Sequence, residues 1–434
     1  MTKIAVFGMG YVGCVSAACL ARDGHRVIGV DIDTDKVGAI QSGRSPVFEP
    51  GLDELIRGQV AAERLTATRD AVSAVRQTEM GLVAVGTPSR ADGSVEMAAI
   101  ERVVESIGRA LYETGQPYTV VIRSTLLPGL LEEHLAPLLE RAAGRPLGTD
   151  LHLCNNPEFL RETTAIRDYD HPPFIVVGAD GQAEAEPVFE LYRSIRAERI
   201  WTDTRTAALV KYACNAFHAL KIDFANEIGT LAGAFGADGQ RVMQIVCRDR
   251  QLNISAAYLR PGFAFGGSCL PKDVRALVRF AQRAAIDTPL LGAILPSNRA
   301  HLERALAMIR QTGCRRVGLV GLSFKAGTDD LRESPQVILA ETLLGRGYDL
   351  KIYDPGVRTT RLVGTNLAYV DVHLPHLAAL LVDDPEELLG HAELLVLATG
   401  VADRLQLEGR FLGEILDLRR DLVVAKGDLV PGGG

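Results

Sequence analysis

Chemistry-bearing residue types concentrate in three segments, and the densest is Arg260-Pro-Gly-Phe-Ala-Phe-Gly-Gly-Ser-Cys269-Leu-Pro-Lys272-Asp273. Glycines at 262, 266 and 267 let backbone approach a ligand closely and supply N–H groups of the kind that hold phosphates and oxyanions. Cys269 sits among them with Lys272 three residues on, a setting that favours the thiolate, the form in which a cysteine acts as a nucleophile. Any of the seven cysteines taken alone is more often inert packing, so the surrounding segment is what singles this one out.

The second segment, Asn155-Asn-Pro-Glu158-Phe-Leu-Arg-Glu162, leaves a buried-looking strand and carries two carboxylates four residues apart. A helical turn after Pro157 would aim both at one face. The third is a helical stretch in which Lys211, Asn215, His218 and Asn226 fall on one face at 100° per residue. Amides and a histidine replace the Glu/Lys mixture usual on a solvated face, which suggests a wet cleft.

The N-terminus supplies a cofactor signature. A strand ends in Gly8-Met-Gly10-Tyr11-Val12-Gly13, a helix-like CVSAACLARDG follows, and the next strand closes on Val30-Asp31. Gly8 permits the tight turn, Gly10 admits the pyrophosphate to the backbone, and Gly13 lets helix and strand pack closely, with the phosphates at the helix N-terminus. Asp31 is placed to accept hydrogen bonds from ribose hydroxyls and would repel a 2′-phosphate, favouring NAD over NADP. Lys36 either caps the ribose or is a solvated helix lysine. Thr87, in Val85-Gly-Thr87-Pro88, and Thr125, in Arg123-Ser-Thr125, end later strands at the same sheet edge.

Elements to position these groups are visible in the hydrophobic rhythm. Short Val/Ile-rich runs at 4–7, 27–30, 82–85, 119–122, 151–154 and 175–177 alternate with helix-length segments, as in parallel βαβ units. A second series at 317–320, 350–353, 394–397 and 422–424 predicts another, smaller sheet. Between them 206–246 lacks proline and reads as helical, broken near Gly236-Ala-Asp-Gly239. The expected fold class is therefore α/β, with two Rossmann-like doubly wound parallel-sheet domains joined by a central helical domain: 1–200, 201–300 and 301–434.

Composition bounds the remaining possibilities. With 434 residues, 47% hydrophobic and 23% charged, the chain is a globular protein too long for one ordinary core. No apolar run suggests a membrane span and the first residues show no leader pattern, so a cytoplasmic location is expected. A net charge of -7 without a basic stripe argues against a nucleic-acid partner. The odd, scattered cysteines argue against a disulfide framework, and His373 and His376 lack further ligands nearby in sequence, so no metal is expected.

The motifs FGMGYVG, VGTPS, RSTLLPG, NPEFLRE, KYACNAFHALKIDFANE, FGGSCLPKD and GLSFKAGTDDLRESP, in this order, identify a resemblance to the UDP-glucose/GDP-mannose 6-dehydrogenase family over essentially the whole length. Within it, TTAIRDYDHPP, RPGFAFGGSCLPKDVRAL and KAGTDDLRESP resemble the GDP-mannose branch more than the UDP-glucose branch, whose cysteine motif usually reads GGSCFPKD. The resemblance implies NAD-dependent four-electron oxidation of a nucleotide sugar at C6, through a thiohemiacetal and a thioester on Cys269. It implies that Asp273 assists proton removal, Lys211 stabilises oxyanions and Glu158 activates water. Thr125, Glu162, Asn215, His218, Asn226, Tyr258, Arg260, Phe263 and Gly266 would line the sugar-nucleotide site or orient these groups. Lys325 and Arg332 match residues that reach the active site from the C-terminal domain, often a partner subunit's, which implies at least a homodimer; Lys272 and Arg332 would also lie against the cofactor. The chain departs from the GDP-mannose pattern at Ala257, where a second aromatic residue is frequent, and matches weakly beyond Leu394. A UDP-sugar 6-dehydrogenase and a catalytically silent nucleotide-binding or scaffolding protein are the alternatives; the intact Lys211, Cys269 and Asp273 weigh against the second.

Overall fold

Strand-forming runs and helices alternate along the chain and assemble two mainly parallel sheets. The structure, a computed structural model, describes residues 1–434 except 88–95, 256–261, 268–269, 324–330, 358–363, 408, 420–423 and 427–434, with backbone alone at 222, 364–368 and 424–426. It divides into two compact units, Met1–Ala219 and Leu220–Gly434.

The first unit holds eight strands: β1 (Lys3–Phe7), β2 (Arg26–Val30), β3 (Leu65–Thr68), β4 (Met80–Val83), β5 (Tyr118–Ile122), β6 (Leu151–Asn155), β7 (Phe174–Gly178) and β8 (Glu198–Thr202). Their order is β3-β2-β1-β4-β5-β6-β7-β8, parallel throughout except for β6 against β7. The first six strands reproduce the dinucleotide-binding order, whose reversal between β1 and β4 opens a crevice at the strand C-termini. Both faces are covered: Ile4 and Val6 of β1 pack into one apolar cluster, Ala5 and Phe7 into another, as the two-residue pleat requires.

The second unit contains β9 (Arg316–Val320), β10 (Asp349–Tyr353), β11 (Leu394–Leu397), β12 (Glu414–Asp417) and β13 (Val424–Lys426) in the order β10-β9-β11-β12-β13, with only β13 antiparallel. Val317 and Leu319 point to one core, Val320 to the other. Helices Thr204–Ala234 and Gly239–Val246 fill the expected helical stretch, with the break at Gly236, whose φ of +71° suits a residue without Cβ. Helices Leu270–Arg283 and Pro289–Thr312 follow. Glu227 is buried and fastens the start of the latter, accepting the N–H groups of Leu290 at 2.8 Å and Leu291 at 3.0 Å.

Several expectations are corrected here. Strands β3, β8 and β12 lie outside the runs read as strands. The strand expected at 82–85 sits two residues earlier. The strand expected at 422–424 falls mostly outside the described residues, and β13 begins at its last residue.

Candidate active site

The glycine turn after β1 is shaped by contacts that no side chain would survive. Gly8 has φ +94°, and a Cβ on Gly13 would lie 1.8 Å from the Gly8 carbonyl oxygen. A Cβ on Gly10 would meet only open space, which leaves that face to a ligand. Helix Tyr11–Arg22 starts directly after it with no side-chain cap, so its first N–H groups, including those of Tyr11, Val12 and Gly13, are available to an anion.

Asp31 closes the turn from β2. One carboxylate oxygen accepts the Met9 N–H at 2.7 Å, the other the Asp33 N–H at 2.9 Å, and the Lys36 ammonium stands 3.6 Å away. A cavity of about 330 Å³ is lined by Gly8, Gly10, Asp31, Lys36, Val85 and Gly86. Thr87 donates its hydroxyl hydrogen to the Thr125 carbonyl at 3.3 Å, tying the ends of β4 and β5 at the same edge. A free helix N-terminus, an open glycine and a carboxylate at one mouth are what a dinucleotide requires, so these residues fit NAD.

A second cavity in the same unit, about 420 Å³, is lined by Glu158, Lys211, Asn215 and His218 together with Arg123, Asn156, Asp168 and His171. Lys211, early on helix Thr204–Ala234, is buried and donates to Glu158 at 2.9 Å; the two side chains are 10% and 12% exposed. Its ammonium also lies 5.6 Å from the Phe159 ring centre. The cation thus neutralises the carboxylate where water cannot, and both remain at the wall of a cavity that can hold a polar ligand.

The helical turn expected after Pro157 is absent. Residues 156–161 form no regular element: Asp168 takes the Arg161 N–H at 2.9 Å, the first donor such a helix would use, and the Glu158 carboxylate takes the Leu160 N–H at 2.6 Å. Glu158 and Glu162 therefore do not share a helix face, and Glu162 is exposed and not among the residues lining this cavity. Asp168 is further gripped by the Arg161 guanidinium at 2.6 and 3.0 Å, which with the Thr164 hydroxyl holds its carboxyl below the usual range.

The cavity floor is a buried polar network. Arg123 is buried and donates to Asn156 at 2.7 Å and to the Tyr192 hydroxyl at 3.0 Å, while that hydroxyl donates to Asn156 at 2.7 Å. Burial pushes the Tyr192 phenol up, so it stays a neutral donor. Arg123 stands in the RST motif and Asn156 opens the NPEFLRE motif, so both carry a local signal, whereas Tyr192 carries none.

In the C-terminal unit, the segment leading to the cysteine is seated from behind. Phe265 and Asn298 exchange hydrogen bonds at 2.9 and 2.8 Å, and the Gly262 carbonyl lies 2.6 Å from His301 Nε2. A Cβ on Gly266 would stand 2.3 Å from the Glu333 carbonyl oxygen, so glycine is obligatory there. Phe263 packs against the apolar core of this unit. Lys272 and Asp273 open helix Leu270–Arg283 as an exposed pair 3.2 Å apart. Lys272 and Arg332 line a cavity of about 780 Å³ with Arg275 and Glu333, which pair at 2.6 and 2.8 Å. Asn226 is exposed on the long helix. Cys269, Tyr258, Arg260 and Lys325 lie outside the described residues.

Three family models cover the chain in order: the NAD binding domain of the UDP-glucose/GDP-mannose dehydrogenase family at residues 2–196, its central domain at 205–300 and its UDP binding domain at 318–417. The chain belongs to the UDP-glucose/GDP-mannose dehydrogenase family. It is 46% identical over 398 residues to a GDP-mannose 6-dehydrogenase of Pseudomonas aeruginosa, covering 92% of this chain and 91% of that one. A UDP-glucose 6-dehydrogenase of Haloferax volcanii is 37% identical over 81% of this chain and 83% of its own. Among solved structures, a ternary complex of GDP-mannose dehydrogenase from Pseudomonas aeruginosa superposes with a TM-score of 0.93 at 45% identity, covering 96% of both chains. The fold class read from the sequence is that of this family, its cofactor is NAD, and the chain is a nucleotide-sugar dehydrogenase. Among the described residues no helix is long and apolar enough to cross a membrane, and no group of His, Cys, Asp and Glu could hold a metal ion.

Proposed function

We propose that this protein is a GDP-mannose 6-dehydrogenase, converting GDP-mannose, water and two NAD+ to GDP-mannuronate, two NADH and three protons. The observation that carries this is the 46% identity over 92% of the chain to an enzyme of that name, against 37% over a shorter span to one acting on UDP-glucose. The UDP-sugar reaction is the alternative, and the silent scaffold is disfavoured by the Lys211–Glu158 pair, kept buried at a cavity wall.

NAD, held by Gly8, Gly10, Gly13, Asp31 and Lys36, supplies the hydride acceptor. The chain's own groups do the rest. Asp273 assists removal of the alcohol proton, and Lys211 donates hydrogen bonds to the oxyanion that develops. Cys269 Sγ bonds to the aldehyde carbon, which then again carries a hydroxyl and a transferable hydrogen. After the second oxidation that carbon is held as a thioester. Glu158 takes a proton from water as its oxygen attacks, the C–S bond breaks, and the thiolate is regenerated. Thr125, Glu162, Asn215, His218, Asn226, Tyr258, Arg260, Phe263 and Gly266 bind or orient the substrate, Tyr11, Val12, Thr87 and Lys272 assist at the cofactor, and Lys325 and Arg332 act from the C-terminal domain.

The domains are 1–200 for NAD, 201–300 for the helical centre and 301–434 for the nucleotide sugar. Leu209 and Leu220 are 56% and 46% exposed on the long helix, apolar area that a second copy would cover, in keeping with a homodimer. We place the protein in the cytoplasm.

The test is NADH stoichiometry with each sugar nucleotide. Two NADH per GDP-mannose are expected, and Cys269→Ala should lose acid formation while still binding NAD. Oxidation of UDP-glucose but not GDP-mannose would overturn the substrate, and full acid yield from Cys269→Ala would remove the thiol from the scheme.

A further inference from the structure

Glu49 belongs to none of the motifs above, yet it is 6% exposed and its carboxylate is fully engaged. One oxygen accepts the Tyr11 hydroxyl and, at 2.8 Å, the Thr163 N–H; the other accepts the Ala165 N–H at 2.9 Å. The Thr163 N–H also reaches the Tyr11 hydroxyl oxygen at 3.0 Å, closing a three-membered knot. Burial and the adjacent carboxylate push the Tyr11 phenol up, so it remains the donor.

The groups it joins are 38, 114 and 116 residues away, and each has a local reason to need it. Tyr11 is the first residue of the helix that leaves the glycine turn. Thr163 directly follows Glu162 and has φ +70°, a left-handed conformation that a β-branched residue holds only when its surroundings fix it. Ala165 begins helix Ala165–Asp170, whose N-cap residue Thr164 makes no side-chain cap, so Glu49 acts as the cap from another element.

We propose that Glu49 is a positioning residue that locks the Glu158–Glu162 segment to the dinucleotide turn, so that the cofactor and substrate sites hold one another in register. This rests on the roles given to those two segments under the proposed function. Glu49→Gln keeps the shape but offers a single acceptor oxygen, so either the Ala165 N–H or the Thr163 N–H and the Tyr11 hydroxyl lose the carboxylate as acceptor. Tyr11→Phe is the gentler variant: it leaves both backbone hydrogen bonds to Glu49 in place and removes only the contacts of the hydroxyl, to Glu49, to the Thr163 N–H and to the Arg161 carbonyl.

The experiment is steady-state kinetics of the full-length enzyme with NAD+ and GDP-mannose, alongside thermal unfolding. Tyr11→Phe should raise KM for both substrates by about three- to tenfold, the range for one lost hydrogen bond, with a smaller change in kcat. Glu49→Gln should move both in the same direction, and the double variant should lose less than the sum of the two single changes, because the hydroxyl and the carboxylate belong to one hydrogen-bonded knot. A fall in Tm with both KM values unchanged would show a purely structural role and overturn the proposal. So would a rise confined to NAD+. A wild-type enzyme inactive on GDP-mannose counts against the proposed function instead, whereas an active one whose variants keep wild-type KM values counts against Glu49 alone.

Discussion

Lys211→Met removes the cation of the buried pair and little else, since methionine keeps roughly the length and volume of the lysine stem and can still pack on Phe159. At 2.9 Å and an effective dielectric constant of about 20, the attraction to Glu158 is ~6 kcal/mol. Desolvation of two ions that are 10% and 12% exposed offsets most of it, so the intact pair adds little to net stability. Breaking it is another matter. Glu158 would stay buried with the Leu160 N–H as its remaining donor, and we expect a loss of about 3 kcal/mol, the low end for a broken buried pair because each partner keeps some solvent contact. Adding Glu158→Gln removes the stranded charge and should restore about 2 kcal/mol.

Catalysis provides the second readout. If Lys211 steadies the developing oxyanion, kcat should fall ~10²–10³-fold, about 2.7–4 kcal/mol of barrier. Urea unfolding measures the first effect and NADH absorbance at saturating GDP-mannose the second. On the proposed mechanism Glu158→Gln alone should behave differently, giving a burst of two NADH per subunit and then slow turnover, because it would impair thioester hydrolysis rather than oxidation. The reasoning is refuted if Lys211→Met keeps kcat within about threefold of wild type. Strictly additive stability losses in the double variant would refute the coupled pair.

Two further outcomes follow from the same geometry. Gly13→Ala puts a Cβ 1.8 Å from the Gly8 carbonyl, which cannot move aside as a flexible side chain would; NAD titration should show binding lost, and unfolding should show a cost at or above the upper end of ~1–3 kcal/mol. Near-wild-type NAD affinity would mean that the turn is not the cofactor site. Asp168, whose carboxyl is held low by Arg161, binds fewer protons folded than unfolded in mild acid, so its contribution is present above the ordinary carboxylate range and lost as pH falls through its folded value. Asp168→Asn should therefore be less stable than wild type at neutral pH, with the two unfolding curves converging in acid; parallel curves across that range would contradict the assignment.

What could be read in advance depended on whether the information was local. The inner strands of the first sheet are runs of Val, Ile and Leu because both of their faces are covered, and such runs stand out. The missed strands β3 and β8 are the two edges. Their sequences LTAT and ERIWT are polar and partly exposed, and they become strands only because a neighbour supplies hydrogen bonds along one side. The glycine fingerprint was legible for the same reason as the inner strands: turn, helix start and Asp31 lie within one βαβ unit. Glu49 and Tyr192 were not, since each is defined by partners tens of residues away and no spacing encodes a long-range hydrogen bond.

The long helix shows where periodicity stops being informative. Lys211, Asn215 and His218 share a face, as 100° per residue predicts, and all three border the cavity in the first unit. Their environments nevertheless differ: Lys211 is buried alongside Ala207 and Ala208, whereas Asn215 and His218 are exposed. A helix face is a direction, while burial is decided by what covers that direction at each turn, and here the cover ends after the first turns. The buried lysine is therefore obliged to find a carboxylate, and the exposed amide and imidazole remain available to a ligand. The same stripe thus contains one residue whose partner is fixed by folding and others that stay open to the cavity. Only the first kind can be assigned a contact from the fold, and for that reason the Lys211–Glu158 pair is the firmest place to begin perturbing this protein.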